Sequence, residues 1–187
     1  VELGAWNDEA VLTIAVNEDA PIDSLEELAD NADLFNNQIV GIEPGAGLTT
    51  VTTDTVIPTY GLEDMEYTTS STPAMLSELK AATSAGENIA VTLWRPHWAY
   101  DAFPLKDLKD PKGTLGDAES LYSYGSMTFE DDFPEVAERM KAFRMDSETL
   151  HSLENAMFNE NDDPSNYDAI ITEWLADNPD FADSLAK

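Results

Sequence analysis

STPAMLSELKAATSAGENIAVTLW, Ser71 to Trp94, is a helix and a strand written end to end. Pro73 belongs in a first helical turn, apolar residues recur at helical spacing, and Gly86 stands just past the end. The residues that follow, up to Trp94, run apolar and β-branched, as a buried strand does. Upstream, QIVGIEPGAGL (Gln38–Leu48) is a short apolar strand that enters a glycine-rich turn. TTVTTDTVIPTYGL (Thr49–Leu62) is read as helical from the spacing of Val51, Thr55 and Val56, against its weak propensities. MEYTTS (Met65–Ser70) reads as another strand. Ile39 to Trp94 is therefore a βαβαβ block, and the expected fold class is α/β, a parallel-rich sheet flanked by helices. Ligands of such sheets sit beyond the carboxyl ends of the strands. EPGAGL and WRPHW both fall there, on one rim.

Before the block, AVLTIAV (Ala10–Val16) reads as a buried strand. In PIDSLEELADNADLF (Pro21–Phe35), Ser24 stands three residues before Glu27 and resembles a capping box opening a helix. After Trp98 the texture changes. DAFPLKDLKDPKGTLGDAESLYSYGS (Asp101–Ser126) is rich in proline, glycine and lysine, and reads as a long loop ending in a short strand. DDFPEVAERMKAFR, DSETLHSLENAMFNEN and PSNYDAIITEWLADNP follow as helices, and DFADSLA as a short helical tail. There is no internal repeat and no low-complexity linker.

The 187 residues carry 38 acidic and 9 basic side chains, a formal net charge of −29. That length suits one large or two small domains, and 42% hydrophobic residues suffice for a core. The sign of the charge excludes nucleic acid as a partner and disfavours anionic membrane surfaces. Solubility in a salty or acidic medium accounts for it, with collection of cations as the alternative. The absence of cysteine excludes disulfides, iron–sulfur clusters and thiol chemistry. No run approaches the roughly 18 apolar residues of a membrane span, and no signal peptide is visible. Val1 opens directly on a strand-like stretch, so the amino terminus is read as a cut end.

Two stretches carry candidate chemistry. In GIEPGAGL (Gly41–Leu48), Gly45 and Gly47 flank Ala46 at a strand–helix junction. Glycine permits close approach to the backbone. The amides of Gly47 and Leu48 can point outward from a helix N-terminus, which makes an anion site. It is neither a Walker A loop nor a dinucleotide fingerprint, and a plain tight turn is the other reading. With Thr49 and Thr50 next, a carboxylate or another single anion suits it. In WRPHW (Trp94–Trp98), an indole face attracts a cation at about 0.5 to 2 kcal/mol per contact. The alternative is that both indoles pack and that His97 is a surface or supporting residue. Pro96 stiffens the turn, Arg95 is read as a solvated rim charge, and His97 is expected to hold the turn through the backbone. Amides and indole on one rim suit a small zwitterion. A methylated ammonium gains most, because it makes no hydrogen bonds and is weakly hydrated.

GIEPGAGL, TPAMLSELKAA and ENIAVTLWRPHWAYDAFPLKDLKDPKGTLGDAE, with EWLADNPD near the end, together resemble the glycine betaine and proline betaine substrate-binding proteins of ABC transporters. The resemblance runs from about Leu3 to Lys187. It implies a periplasmic-binding-protein-like II fold, whose two α/β lobes close on the ligand. It implies that the turn Pro44–Gly45–Ala46–Gly47–Leu48 offers the Gly47 and Leu48 amides to a betaine carboxylate. It also implies that Trp94 is one wall of an aromatic cage; Pro96 and His97, from the same motif, are counted as candidate ligand-binding residues with it. Partners would be the small-molecule betaine and the membrane subunits of a transporter. The location would be extracytoplasmic, periplasmic or lipid-anchored. The sequence departs from the family in one respect: the other lobe's tryptophans and histidine, carried in a DAWLP-like segment, have no match here. Trp6 falls in the crossover, and Trp174 on a late amphipathic helix, as core. Residues 1–20 are therefore expected to be a crossover strand region and 21–125 the ligand-binding lobe. Residues 126–187 are expected to be helical segments that pack on it or return toward a missing lobe. The exposed half-site leaves room for self-association.

No nucleophile–base pair stands out, since His97 and His151 have no Ser or Asp partner in a motif, and no enzyme is expected. No cofactor or metal is expected either. NENDD (Asn159–Asp163) and EDD (Glu130–Asp132) fit no EF-hand and read as solvated acidic loops. A sensory or regulatory ligand-binding module of the same fold is the alternative function.

Overall fold

One strand, β1 (Glu2–Asn17), contributes to both of the compact units into which the chain divides. The computed structural model describes residues 1–161 and 163–185. The sheet unit comprises Val11–Arg95 and Phe103–Asp117. The helical unit comprises Val1–Ala10, Pro96–Ala102 and the chain from Ala118 onward.

In the sheet unit, β1 is followed by α1 (Leu25–Leu28), β2 (Gln38–Gly41), α2 (Gly47–Val51), α3 (Ile57–Tyr60), β3 (Glu66–Thr69), α4 (Thr72–Ala85), β4 (Ala90–Arg95) and β5 (Leu105–Asp107). The strand order is β3-β2-β4-β1-β5. β2 pairs in parallel with β3 and β4, the βαβαβ block that the alternation of helix and strand predicts. β1 joins antiparallel between β4 and β5. Ile14, Val16, Ile39, Val40, Val91 and Leu93 are buried on these strands, and Leu25, Leu28, Met75 and Leu79 are buried on the helices. Both ends of α4 follow the sequence signals: Pro73 lies in the first turn and Gly86 ends the helix at φ 70°, and the structure adds a cap, the Ser71 hydroxyl, which accepts the Ala74 N–H at 3.3 Å.

Two helices differ from their expected form, each for a local reason. The helix after Ser24 stops being regular within a turn and continues as a 3₁₀ segment, Ala29–Phe35, kinked at Asn31. The Asn31 side-chain amide takes the Glu27 carbonyl at 2.8 Å, a bond that competes with the main-chain ladder. The Ser24 hydroxyl does accept the Glu26 N–H, but Glu27 accepts from Asp23 rather than from Ser24, so the box closes one residue early. Between α2 and α3 the helix widens to a π turn over Thr52–Val56, and the Ile57 N–H reaches Thr52. Pro58 explains the widening: its ring crowds the carbonyl four residues back, and it has no N–H to offer.

In the helical unit, the first residues of β1 pair antiparallel with β6 (Glu119–Tyr124) through a ladder broken by register shifts. Its helices are α5 (Ala99–Ala102), α6 (Phe129–Asp132), α7 (Pro134–Ala142), α8 (Ser147–Glu154), α9 (Tyr167–Asp177) and α10 (Pro179–Leu185). Trp174 is buried, as its place on an amphipathic helix predicts, and its Nε1 donates to Ser152 at 3.0 Å. Phe181 packs edge-on to it, with ring centroids 5.5 Å apart. Trp6 lies 5.9 Å from Phe143, and its carbonyl accepts the Met145 N–H. Asp162 of NENDD and Ala186 of DFADSLA lie outside the described residues, as does Lys187. Among the described residues no carboxylate or imidazole cluster fits a metal ion, and no helix is long and apolar enough to cross a membrane.

Candidate functional site

β2 and β4 are neighbours and parallel, so the turns that leave them share one rim of the sheet. Counting three residues on from the Val40–Val91 pair brings Glu43 level with Trp94. The connection from β2 leads to β3 on one side, and α4 then carries the chain back past β2 to β4. A sheet whose connections diverge in this way leaves a crevice at the carboxyl ends of the strands. Pro44–Leu48 follow the end of β2, and Trp94 lies near the end of its parallel neighbour β4.

Two helices start near this rim, and they are capped differently. At α4, Ser71 takes one first-turn amide, and the Glu43 carboxylate takes the Thr72 N–H and hydroxyl, both at 2.8 Å. At α2 the residue before the helix is Ala46, which has no side chain to cap with. The amides of Gly47 and Leu48 therefore begin a helix with no side-chain acceptor and with the positive end of its dipole. The turn itself is pinned. Thr49 donates its hydroxyl to the Glu43 carbonyl at 2.8 Å, and Ala46 donates its N–H to the same oxygen at 3.0 Å. The Thr72 N–H bond is the main cause that lowers the Glu43 carboxyl below its usual range, followed by its own amide and the Thr72 hydroxyl. The acid nearest in sequence to these amides is thus turned onto another helix.

The glycines of this stretch have different causes. A Cβ on Gly41 would lie 2.6 Å from the Tyr67 ring, so glycine is required there by packing within the protein. A Cβ on Gly45 or Gly47 would meet nothing within 4 Å, and neither has a positive φ. The fold itself does not require glycine at these two positions, and both face open space in front of the turn. Pro44, Gly45 and Gly47 are exposed, Ala46 is half-buried, and Leu48 is buried beneath them. Trp94 is half-buried at the end of β4, opposite Leu12 of β1. Arg95 corrects the reading as a solvated rim charge: its Nε donates to Asp107 at 2.6 Å, with each side chain only 30% exposed. β5 supplies that partner, a strand of three residues hidden in what the composition predicts as loop.

Pro96 and His97 belong to the helical unit. Both are buried, so the surface alternative for His97 is overturned. The Nδ1 of His97 accepts the Ala99 N–H at 3.1 Å and caps α5. Burial first, and then the charge of His151, hold its pKa down to about 4. The structure therefore brings Pro44–Leu48 and Trp94 together on one unit and gives Pro96 and His97 to the other. Glu43 and Thr72 were not legible as site supports, and Thr49 was read beside the anion turn but not as the residue that pins it. Thr72 opens α4, but its acceptor lies 29 residues away.

The family model described as the substrate binding domain of ABC-type glycine betaine transport system matches residues 1–177. The glycine betaine/carnitine transport binding protein GbuC of Listeria monocytogenes is 33% identical over 165 residues, 86% of this chain and 52% of that protein. The chain thus spans about half the length of this curated relative. Among solved structures, the glycine/betaine/L-proline-binding protein ProX of Borrelia burgdorferi has a TM-score of 0.73 at 28% identity, covering 99% of this chain and 69% of that one. Lactococcal OpuAC, closed and complexed with glycine betaine, has a TM-score of 0.76 at 27% identity, covering 100% of this chain and 70% of that one.

Proposed function

The chain belongs to the family of substrate-binding domains of ABC-type glycine betaine transport systems, and on that premise we propose that it captures glycine betaine or a related quaternary-ammonium osmoprotectant for import. The observation that carries this reading is the uncapped, open-fronted turn after β2, the strand that pairs in parallel with the β4 strand of Trp94. The ligand carboxylate meets the Gly47 and Leu48 amides, and Pro44, Gly45 and Ala46 shape the turn. The methylated ammonium meets the Trp94 face, whose quadrupole attracts a cation that offers no hydrogen-bond donor. Pro96 and His97 act through the backbone that follows Trp94. The ligand-binding lobe corresponds to residues 21–125, with 1–20 as a crossover and 126–187 as the returning helical segments. The protein works outside the cytoplasmic membrane and delivers ligand to the membrane subunits of a transporter. The names of its relatives, transport binding proteins, support capture rather than turnover.

The half-site is weak by itself. One indole contact gives about 0.5 to 2 kcal/mol, and charge-assisted bonds to a carboxylate give about 1.5 to 3. Their ceiling of about 5 kcal/mol compares with the roughly 4 that a 1 mM complex requires, before ordering costs. Calorimetry with glycine betaine, choline and glycine tests the reading. Glycine betaine should bind best, at millimolar strength or weaker, because choline lacks the carboxylate and glycine the methyl groups. Choline binding as well as glycine betaine would remove the amide turn from the account. Micromolar binding would mean that a fuller cage exists in this chain.

A further inference from the structure

The helical unit buries both histidines of the chain, His97 at 7% exposure and His151 at 6%. They hold one short element. α5 begins at Ala99, whose N–H donates to His97 Nδ1 at 3.1 Å. On its face, Tyr100 stacks on His151 of α8, with ring centroids 5.7 Å apart and 25° between planes. At its end, Asp101 accepts from Asn155, in the turn that follows α8, at 2.9 Å. Pro96–Ala102 is also the excursion by which the chain leaves the sheet unit at Arg95 and re-enters it at Phe103.

We propose that the His97–His151 pair is an acid-sensitive latch, which fastens α5 to α8 while His97 is neutral and releases it when His97 takes a proton. The chemistry of Nδ1 decides the sign. As an acceptor it must be unprotonated, so the neutral ring carries its hydrogen on Nε2. A proton on Nδ1 turns the acceptor into a donor aimed at the Ala99 N–H, and the cap is lost. The second charge also enters a buried place beside His151, which disfavours it while the latch is closed.

The groups facing the pair set which ring is charged first. From β1, Glu9 is lowered chiefly by its Ser147 hydrogen bond and slightly by His151. At the start of α8, Asp146 is lowered chiefly by Thr149 and slightly by His151. Both carboxylates therefore favour charge on His151. Glu154, on the last turn of α8, is raised by burial against a hydrogen bond from the Trp98 main chain, so it loses its charge early in acid. From α5, Tyr100 faces His151 and Asp101 lies next to it.

The sign follows by linkage. With a free pKa of 6.5 and a latched one of about 4, the open form binds the additional proton between these values. Opening then rises about tenfold for each pH unit of acidification in that window. The experiment is amide exchange of this chain between pH 7 and 4, read as protection factors so that the intrinsic pH dependence cancels. The Ala99 amide should lose about tenfold in protection per pH unit, while the Trp174 amide on α9 does not follow. In His97→Asn the side-chain oxygen can accept the Ala99 N–H but takes no proton, so Ala99 protection should stay level. In His151→Gln the neighbouring charge is gone, and the slope should end at a higher pH. The proposal is overturned if Ala99 protection is level in the unsubstituted chain, if Ala99 and Trp174 lose protection together, or if His97→Asn follows the unsubstituted curve. The first two outcomes need no variant to fold.

Discussion

Gly41 and Gly47 stand six residues apart and are predicted to respond oppositely to alanine. At Gly41 the new methyl carbon would lie 2.6 to 2.8 Å from two ring carbons and the hydroxyl oxygen of Tyr67. That ring must move, and its hydroxyl is buried. Overpacking of this kind costs about 1 to 3 kcal/mol, and in a chain of this size each kcal/mol lowers Tm by about 2 to 4 °C. At Gly47 the methyl group meets nothing within 4 Å, and φ is not positive. Removing glycine's freedom from the unfolded chain then stabilises by about 0.4 to 1 kcal/mol. The same methyl group stands in the open space before the amides, so glycine betaine should bind at least about tenfold more weakly, which is about 1.4 kcal/mol. Denaturant unfolding of the two variants, followed by tryptophan fluorescence, reads the first effect, and ligand titration reads the second. Tyr67→Ala combined with Gly41→Ala should recover part of the loss attributed to the clash. Equal destabilisation by Gly41→Ala and Gly47→Ala would refute the reasoning, because it would mean that the front of the turn is not open.

Other expectations follow from the same contacts. Asp107→Asn removes the charge opposite Arg95 and should lower stability by up to about 1 kcal/mol, less in high salt, since both side chains are partly exposed. Burial first, and then the Asp110 carboxylate, push the Tyr60 hydroxyl up to about 12, so ultraviolet titration should find Tyr60 among the late-ionising tyrosines. Stability carried by that group is present below pH 10 and lost as pH rises toward 12. Asp110→Ala, which also strips the acceptor from Thr114 and the Leu115 N–H, should cost about 2 to 3 kcal/mol in thermal unfolding. In acid, His97 binds its proton more weakly folded than unfolded, so its contribution is complete above pH 6.5 and falls as pH drops toward 4, by up to about 3 kcal/mol. Unfolding of His97→Asn should lack that slope, and a matching slope in both proteins would assign it to carboxylates instead.

The sequence was readable wherever structure depends on neighbours in the chain. Pro73 and Gly86 bounded α4 because start and stop signals act within a turn. The rim positions of the 44–48 turn and of Trp94 followed from strand ends, which alternation in the sequence marks. What escaped depends on partners distant in the chain. Glu43 meets Thr72 and Arg95 meets Asp107 only after the sheet has formed. β5 is too short to have a period. β1 runs eight residues further toward the amino terminus than its β-branched core, Ala10–Val16, because its partner β6 lies more than a hundred residues away and pairs with shifts. His97 could not be placed by type. It is buried in the helical unit, most of which comes later in the chain than WRPHW.

The central claim is that a betaine sits between the Gly47 and Leu48 amides and the Trp94 indole. The most direct measurement is a two-dimensional nitrogen–proton NMR titration of the labelled chain with glycine betaine, to about 100 mM, a hundredfold above the concentration that about 4 kcal/mol of binding requires. The predicted result is a saturating shift of the Gly47 and Leu48 amides and of the Trp94 indole N–H, with one shared dissociation constant. Choline should move the indole and leave the amides in place. Saturating shifts elsewhere, or amides and indole that stay still throughout, would contradict the account.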